Sequence, residues 1–273
     1  MGMETKQTYV TLLSSDDFVV GVIMLHLSLK SVKALYSLFV LCSDTISNTS
    51  LQLLEKYRIP YKKLSEHIRV DATKVNIASG YDHWNRTFDK LYVWTLTEYD
   101  KVVYLDSDMQ VVRNVDFLFD CPHMSAVIAD QWNEPGLKKL NSGLIVIEPN
   151  LEEFDGMKQL WESGAINLKN VGDQDIIRAY YLNWEAKEEL HLPPGLNVFY
   201  SEVSAGIIKK KDVQPVSVIH YIGSRKPWMV SILANTKRMR NNFLWKKLLT
   251  YIMRLYVNFP ILFFQYYKKN ARC

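Results

Sequence analysis

Two carboxylates one residue apart, Asp106-Ser107-Asp108, directly follow the apolar run Val102-Val103-Tyr104-Leu105. A run of that length, rich in Val and Tyr, reads as a buried strand. The aspartates then sit at its C-terminal end, the edge where open α/β sheets bind ligands. Buried side by side they repel, and a hard divalent cation between them removes the cost by taking oxygen ligands. An isolated Asp-X-Asp also reads as a surface turn. Its place behind a mid-chain strand favours the metal. A second strand, Val216-Ser217-Val218-Ile219, delivers His220, with Gly223 and Lys226 just beyond. A neutral imidazole suits a borderline cation such as Mn2+. Glycine admits close backbone approach, and lysine is a point charge suited to phosphate. Each has an ordinary reading alone, His220 as a satisfied polar residue at a strand end; together they suit a metal and a diphosphate.

The elements that must hold these residues alternate. Tyr9–Leu13, Leu38–Leu41 and 101–105 read as strands, with Ile59–Leu64 a short peripheral one because of Pro60. Phe18–Lys33 and Ile46–Tyr57 read as helices between them, which implies right-handed crossovers and a largely parallel sheet. Residues 70–82 and 132–139 read as loops. Asn85–Tyr99 reads as a helix with Phe88, Leu91 and Trp94 at spacing 3. Lys90 lies near its start, an unfavourable place for a cation on the helix dipole, and so is expected to meet an anion. A short helix is expected at 115–119 and a strand at 125–129. Asn141-Ser142-Gly143 opens an apolar strand, Leu144–Ile147. Helices are expected at Leu151–Trp161 and Ile176–Leu182, the latter preceded by Gly172-Asp173-Gln174-Asp175. Leu192–Asn197 reads as a loop.

The chain has 273 residues, 48% of them apolar and 12% aromatic, ample for a sizeable core. Cys42, Cys121 and Cys273 lack metal-ligand spacing and point to a reducing compartment. No signal peptide is expected, since Met1–Gln7 is polar and the first apolar run is short. A cytoplasmic location follows, with no nucleic-acid partner. The net charge of +4 is unevenly placed: residues 213–273 hold 11 Lys or Arg and no acid, while 1–212 hold 22 basic residues against all 29 acids. We therefore expect two parts, a globular domain over 1–240 and a basic aromatic tail over 241–273. Arg254 and Pro260 argue against a membrane span in the tail. Its flanking lysines and aromatic residues suit peripheral contact with an anionic membrane face.

Leu105-Asp106-Ser107-Asp108, Asn141-Ser142-Gly143, Gly172-Asp173-Gln174 and the His220–Trp228 segment stand in the order seen in glycosyltransferase family 8. The chain resembles that family from about Tyr9 to Trp228, on the branch of glycogenin and galactinol synthase, with bacterial lipopolysaccharide hexosyltransferases as relatives. The resemblance implies a GT-A fold, a Rossmann-like mixed α/β sheet flanked by helices. It implies transfer of a hexose from a UDP-sugar with retention of anomeric configuration. It implies Mn2+, with Mg2+ a second candidate, held by Asp106, Asp108 and His220. Leu12, Ser15 and Phe18 fall where the family holds uridine, and Ser107 joins the donor-binding set. Lys90 matches a lysine near the diphosphate and sugar. Asn141, Asp173 and Gln174 match residues around the donor sugar and reaction centre, while Gly223 and Lys226 match diphosphate contacts. The acceptor is expected to be a glycan, a glycolipid or a small polyol.

This sequence departs from glycogenin at several points. Ser15 and Phe18 stand where glycogenin has Asn and Tyr, Asn170 replaces an Asp, and Tyr200 has no clear match to the self-glucosylated tyrosine. A haloacid-dehalogenase-type phosphatase also uses Asp-X-Asp after a strand, but at the first strand of its core, whereas 105 residues precede Asp106 here; Gln110 also stands where that family carries Thr or Val. A catalytically silent sugar-nucleotide-binding protein is the remaining alternative.

Overall fold

The structure is a computed structural model describing residues 5–68, 87–129, 138–163, 172–204 and 215–223, with Lys226 and Trp228. The loop expected at 70–82, the start of the helix at Asn85, most of the loop at 132–139, Asn170 and the tail over 241–273 lie outside the described residues. The chain divides into two compact units, Met1–His220 and Tyr221–Cys273.

The strands of the first unit are, in chain order, β1 (Gln7–Leu13), β2 (Leu38–Cys42), β3 (Tyr61–Lys63), β4 (Lys101–Leu105), β5 (Met109–Val111), β6 (Ala126–Ala129), β7 (Lys139–Ile147), β8 (His191–Leu192), β9 (Val198–Phe199) and β10 (Val218–His220). Seven of them form one sheet in the order β3-β2-β1-β4-β7-β6-β8. The first four pair in parallel, and β7 runs antiparallel to both β4 and β6. A small second sheet has the order β5-β10-β9. The helices are α1 (Val19–Ser31), α2 (Asn48–Lys56), α3 (Leu151–Glu162), α4 (Asp173–Tyr180) and α5 (Tyr200–Ser204).

After Lys101, β4 is apolar to its end because both faces are covered. Val103 and Leu105 enter a core with residues of α1 and α2. Val102 and Tyr104 point the other way, into a core with Phe88, Trp94, Met157, Trp161, Ile176 and Ile177. The expected helix over 85–99 is instead a 3-10 helix, Phe88–Thr95. A repeat of 3 residues per turn eclipses i and i+3, so Phe88, Leu91 and Trp94 all face the core. Two further boundaries move. The strand expected to start at Leu144 starts at Lys139, so Asn141-Ser142-Gly143 lies inside β7. The late strand runs through His220 rather than stopping before it.

At the far end of β7 a polar cluster ties α3 and α4 to the sheet. Trp94 Nε1 donates to the Tyr181 hydroxyl at 2.9 Å, and that hydroxyl donates to Glu153 Oε2 at 2.8 Å. His123 Nδ1 accepts from the Glu148 N–H at 2.9 Å, so Nε2 carries a proton toward Glu153 Oε2, 3.2 Å away. Burial would raise the Glu153 carboxyl, but hydrogen bonding to His123 and Tyr181 outweighs it and holds the group below its ordinary 4.5. A carboxyl lowered by folding adds stability that is complete above about pH 4.5 and lost as pH falls through the folded value. Glu153→Gln is therefore expected to flatten the acid limb of melting temperature against pH below that point. An acid limb identical to the parent's would remove Glu153 from the acid response.

Candidate active site

The site forms where the chain passes from the large sheet to the small one. β4 ends at Leu105, and the Asp106 N–H is held by the Gly143 carbonyl of β7 at 2.9 Å. The chain then turns, closed by Met109 N–H to Asp106 carbonyl at 3.0 Å, and enters β5. β5 pairs antiparallel with β10, with Met109 opposite His220. The carboxylates at the turn and the imidazole at the strand end are thereby forced together. Ligand atoms of Asp106, Asp108 and His220 all lie within 4.8 Å of one another. His220 Nε2 is 3.0 Å from Asp108 Oδ1 and 3.7 Å from Asp106 Oδ2.

Lys90 stands beside this cluster. Its ammonium lies 2.6 Å from Asp173 Oδ2 and 3.1 Å from Asp106 Oδ1, over the Tyr104 ring at 4.8 Å. It also reaches the Ser142 carbonyl and hydroxyl, each at 3.3 Å. The expected anion is thus found among the chain's own side chains, although the element is 3-10 rather than α. Burial would lower the Lys90 amine, but Asp106 and Asp173 outweigh it and hold it above its usual range. Burial raises the Asp106 carboxyl, with Lys90 and His220 pulling against the rise. The Tyr104 hydroxyl, itself raised by burial and by Asp106, donates to Asp106 Oδ1 at 2.9 Å. Asp106 Oδ1 is therefore spent on Lys90 and Tyr104, and Oδ2 turns toward His220.

Asp173 is buried at the start of α4, where a carboxylate is favoured by the helix dipole. The Ser142 hydroxyl donates to Asp173 Oδ2 at 2.8 Å, and the Ser142 N–H donates to Gln174 Oε1 at 3.0 Å. Asn141 Oδ1 accepts from the Gly143 N–H and from Asn197 Nδ2, both at 2.8 Å. Asn197 Oδ1 meets His220 Nδ1 at 2.9 Å. A Cβ on Gly143 would fall 2.9 Å from Met109 Cε and 3.0 Å from both Asn141 Oδ1 and His220 Cε1, so a side chain at this strand position would have to displace groups of the site.

The remaining candidates are placed as follows. Leu12, Ser15 and Phe18 follow the parallel pairing of β1 with β4, in which Val10 lies opposite Tyr104, and so occupy the same end of the sheet. Leu12 is buried, Ser15 precedes the 3-10 turn Asp16–Phe18, and Phe18 packs against the α1 side of the core. Ser107 is buried at the turn between its two aspartates. In the second unit, Gly223 adopts a φ of +83°, a left-handed conformation that favours glycine, and the Lys226 amine donates to the Tyr221 carbonyl at 2.7 Å. Sequence reasoning missed Tyr104, Ser142 and Asn197 as parts of the site. Tyr104 had a usable signal, since residues i and i+2 of a strand share a face and Asp106 is two residues on.

The oxygen, oxygen and imidazole set of Asp106, Asp108 and His220 fits a divalent cation of the Mn2+ type. The hydrogen bonding of His220 Nδ1 leaves Nε2 facing the carboxylates, an arrangement that a cation between them satisfies.

The profile of glycosyl transferase family 8 matches residues 9–231, and the chain belongs to that family of glycosyltransferases. It is 32% identical over 228 residues to putative UDP-glucuronate:xylan alpha-glucuronosyltransferase 5 of Arabidopsis thaliana, covering 82% of this chain and 36% of that protein. It is 29% identical over 248 residues to glycogenin-1 of Homo sapiens, covering 87% of this chain and 66% of the relative. The chain thus spans about a third to two thirds of these two relatives. Among solved structures, the galactosyltransferase LgtC in complex with donor and acceptor sugar analogues aligns with TM-score 0.60 at 16% identity, over 88% of this chain and 99% of that one. The fold is GT-A, as the resemblance implied. The phosphatase alternative falls with the family match.

Proposed function

We propose that this chain is a retaining hexosyltransferase that uses a UDP-sugar and Mn2+, with a glycan, glycolipid or small polyol as acceptor. The observation that carries the reading is the convergence of Asp106, Asp108 and His220 beside the Lys90–Asp173 pair. A UDP-sugar donor is supported by the plant relative, whose name specifies UDP-glucuronate.

Asp106 Oδ2, Asp108 and His220 Nε2 would hold the cation, which supplies charge for a departing diphosphate. Lys90, itself buried, pairs with Asp106 and Asp173 and keeps a positive charge at the site, where it can offset negative charge on a departing diphosphate. Asp173, oriented by Lys90 and the Ser142 hydroxyl, would stabilise positive charge developing at the anomeric carbon. Gln174 has its oxygen held by the Ser142 N–H, which leaves its amide to orient the sugar or the acceptor hydroxyl. The proton of that hydroxyl passes to the leaving phosphate oxygen.

The test is UDP release from a panel of UDP-hexoses and UDP-glucuronate, with Mn2+, Mg2+ or chelator, with and without candidate acceptors. At least one donor is expected to be turned over with Mn2+ and to stop with chelator. Tight metal-dependent UDP binding with no turnover of any donor would favour the catalytically silent alternative.

A further inference from the structure

We propose that Asn197 is a positioning residue that fixes the tautomer of His220 and so aims its Nε2 lone pair at the metal site. The proposal rests on the metal reading above and adds a residue to it. The argument starts from a group whose role is not open to choice, the backbone N–H of Gly143. It donates to an Asn141 side-chain atom at 2.8 Å, which must therefore be the amide oxygen. The same oxygen lies 2.8 Å from the Asn197 side chain, so the Asn197 atom facing it must be the NH2 group. The other Asn197 atom is then oxygen, and it faces His220 Nδ1 at 2.9 Å. Only a protonated Nδ1 satisfies that contact. Each assignment forces the next, from a backbone amide in β7 to the Nδ1 proton of an imidazole in β10; in the neutral ring the electron pair is then on Nε2, which faces Asp108 Oδ1 at 3.0 Å and Asp106 Oδ2 at 3.7 Å.

Both Asn197 and His220 are buried, each 6% exposed, so water does not readily replace a lost partner. Metal-bound imidazoles commonly give their other N–H to such an oxygen, which fixes ring orientation. Asn197 sits one residue before β9, and β9 pairs with β10 through Val198–Ile219 and Phe199–His220, so the backbone holds the amide at a fixed height against the ring. The Phe199 ring meets the imidazole edge-on, with centroids 5.8 Å apart. The relay also joins Asn141, a residue expected near the donor sugar, to the metal ligand.

The test uses the full chain, with two measurements on the parent, Asn197→Ala, Asn197→Asp and Asn141→Ala. Long-range proton–nitrogen spectra of the metal-free protein report the His220 tautomer, and titration with Mn2+ followed by electron spin resonance reports affinity. The parent is expected to carry the proton on Nδ1. Asn197→Ala is expected to show the other tautomer and to lose about 10- to 100-fold in Mn2+ affinity. Asn197→Asp keeps an oxygen acceptor for Nδ1–H while setting its second oxygen against Asn141 Oδ1, and is expected to restore the Nδ1–H proton and part of the affinity. Asn141→Ala leaves the Asn197 amide free to flip, and a mixture of tautomers is expected; this variant decides the matter if Asn197→Ala does not fold. An unchanged Nδ1–H tautomer in the alanine variants, or affinity within about twofold of the parent in Asn197→Ala, overturns the proposal. A parent that holds the proton on Nδ1 yet binds no Mn2+ would instead overturn the metal reading and leave the relay standing.

Discussion

Asp106→Ala and Asp108→Ala are each expected to weaken Mn2+-dependent UDP binding by about 100-fold or more, beyond the cost of disturbing an outer partner. Calorimetric titration with UDP, with and without Mn2+, measures this. The two variants part company in the metal-free protein. Asp108→Ala relieves repulsion between neighbouring carboxylates, which offsets part of the loss of its own contacts, among them His220 Nε2 at 3.0 Å. Asp106→Ala takes away the partner of the Tyr104 hydroxyl and one of the two carboxylates on Lys90. Leaving such groups unsatisfied costs about 1–3 kcal/mol. UDP affinity equal to the parent's in both variants would remove the metal site from the proposal.

Lys90→Met is expected to be the most destabilising change at the site. The ammonium is buried between Asp173 and Asp106, and its removal leaves Asp173 with a buried charge and, among the described residues, only the Ser142 hydroxyl against its carboxylate. Breaking a buried pair from one side costs about 3–5 kcal/mol. Urea denaturation of the metal-free protein reads the loss. The double variant Lys90→Met/Asp173→Asn is expected to recover part of it, because the orphaned charge is gone. Turnover is expected to fall about 100- to 1,000-fold in the single variant, through lost charge stabilisation and the displacement of Asp173. A stability loss under about 1 kcal/mol would mean the pair is solvated in solution.

Much of the site could be read from the chain because its carriers are strand ends. β4 announces itself by an unbroken apolar run, and the change to Asp106 marks the edge. β10 repeats that pattern with His220. Lys90 was legible by a different route, as a cation placed against the helix dipole, which needs a local anion. The 3-10 helix carried its own signal in the spacing of Phe88, Leu91 and Trp94, which is the 3-10 period as much as one face of an α-helix. What the sequence hid were polar residues whose partners are far along the chain. Asn141 and Ser142 stand ahead of the apolar run that marks the strand, and their own types do not extend it. In the fold they are strand residues, and Ser142 meets Asp173 across 31 positions while Asn141 meets Asn197 across 56. Asn197 follows a Pro-Pro-Gly turn and has no periodicity to mark it. Its place is set by the pairing of β9 with β10, a long-range choice no local pattern expresses.

The Lys90 contacts have one more consequence, for valence. Lys90 lies 2.6 Å from Asp173 Oδ2 and 3.1 Å from Asp106 Oδ1, while Asp106 Oδ2 and Asp108 Oδ1 both face His220 Nε2. Attraction to a pair of like charges grows with the charge on the ion between them, so neighbouring carboxylates at positions 106 and 108 favour a doubly charged ion over a singly charged one before coordination geometry distinguishes one divalent metal from another.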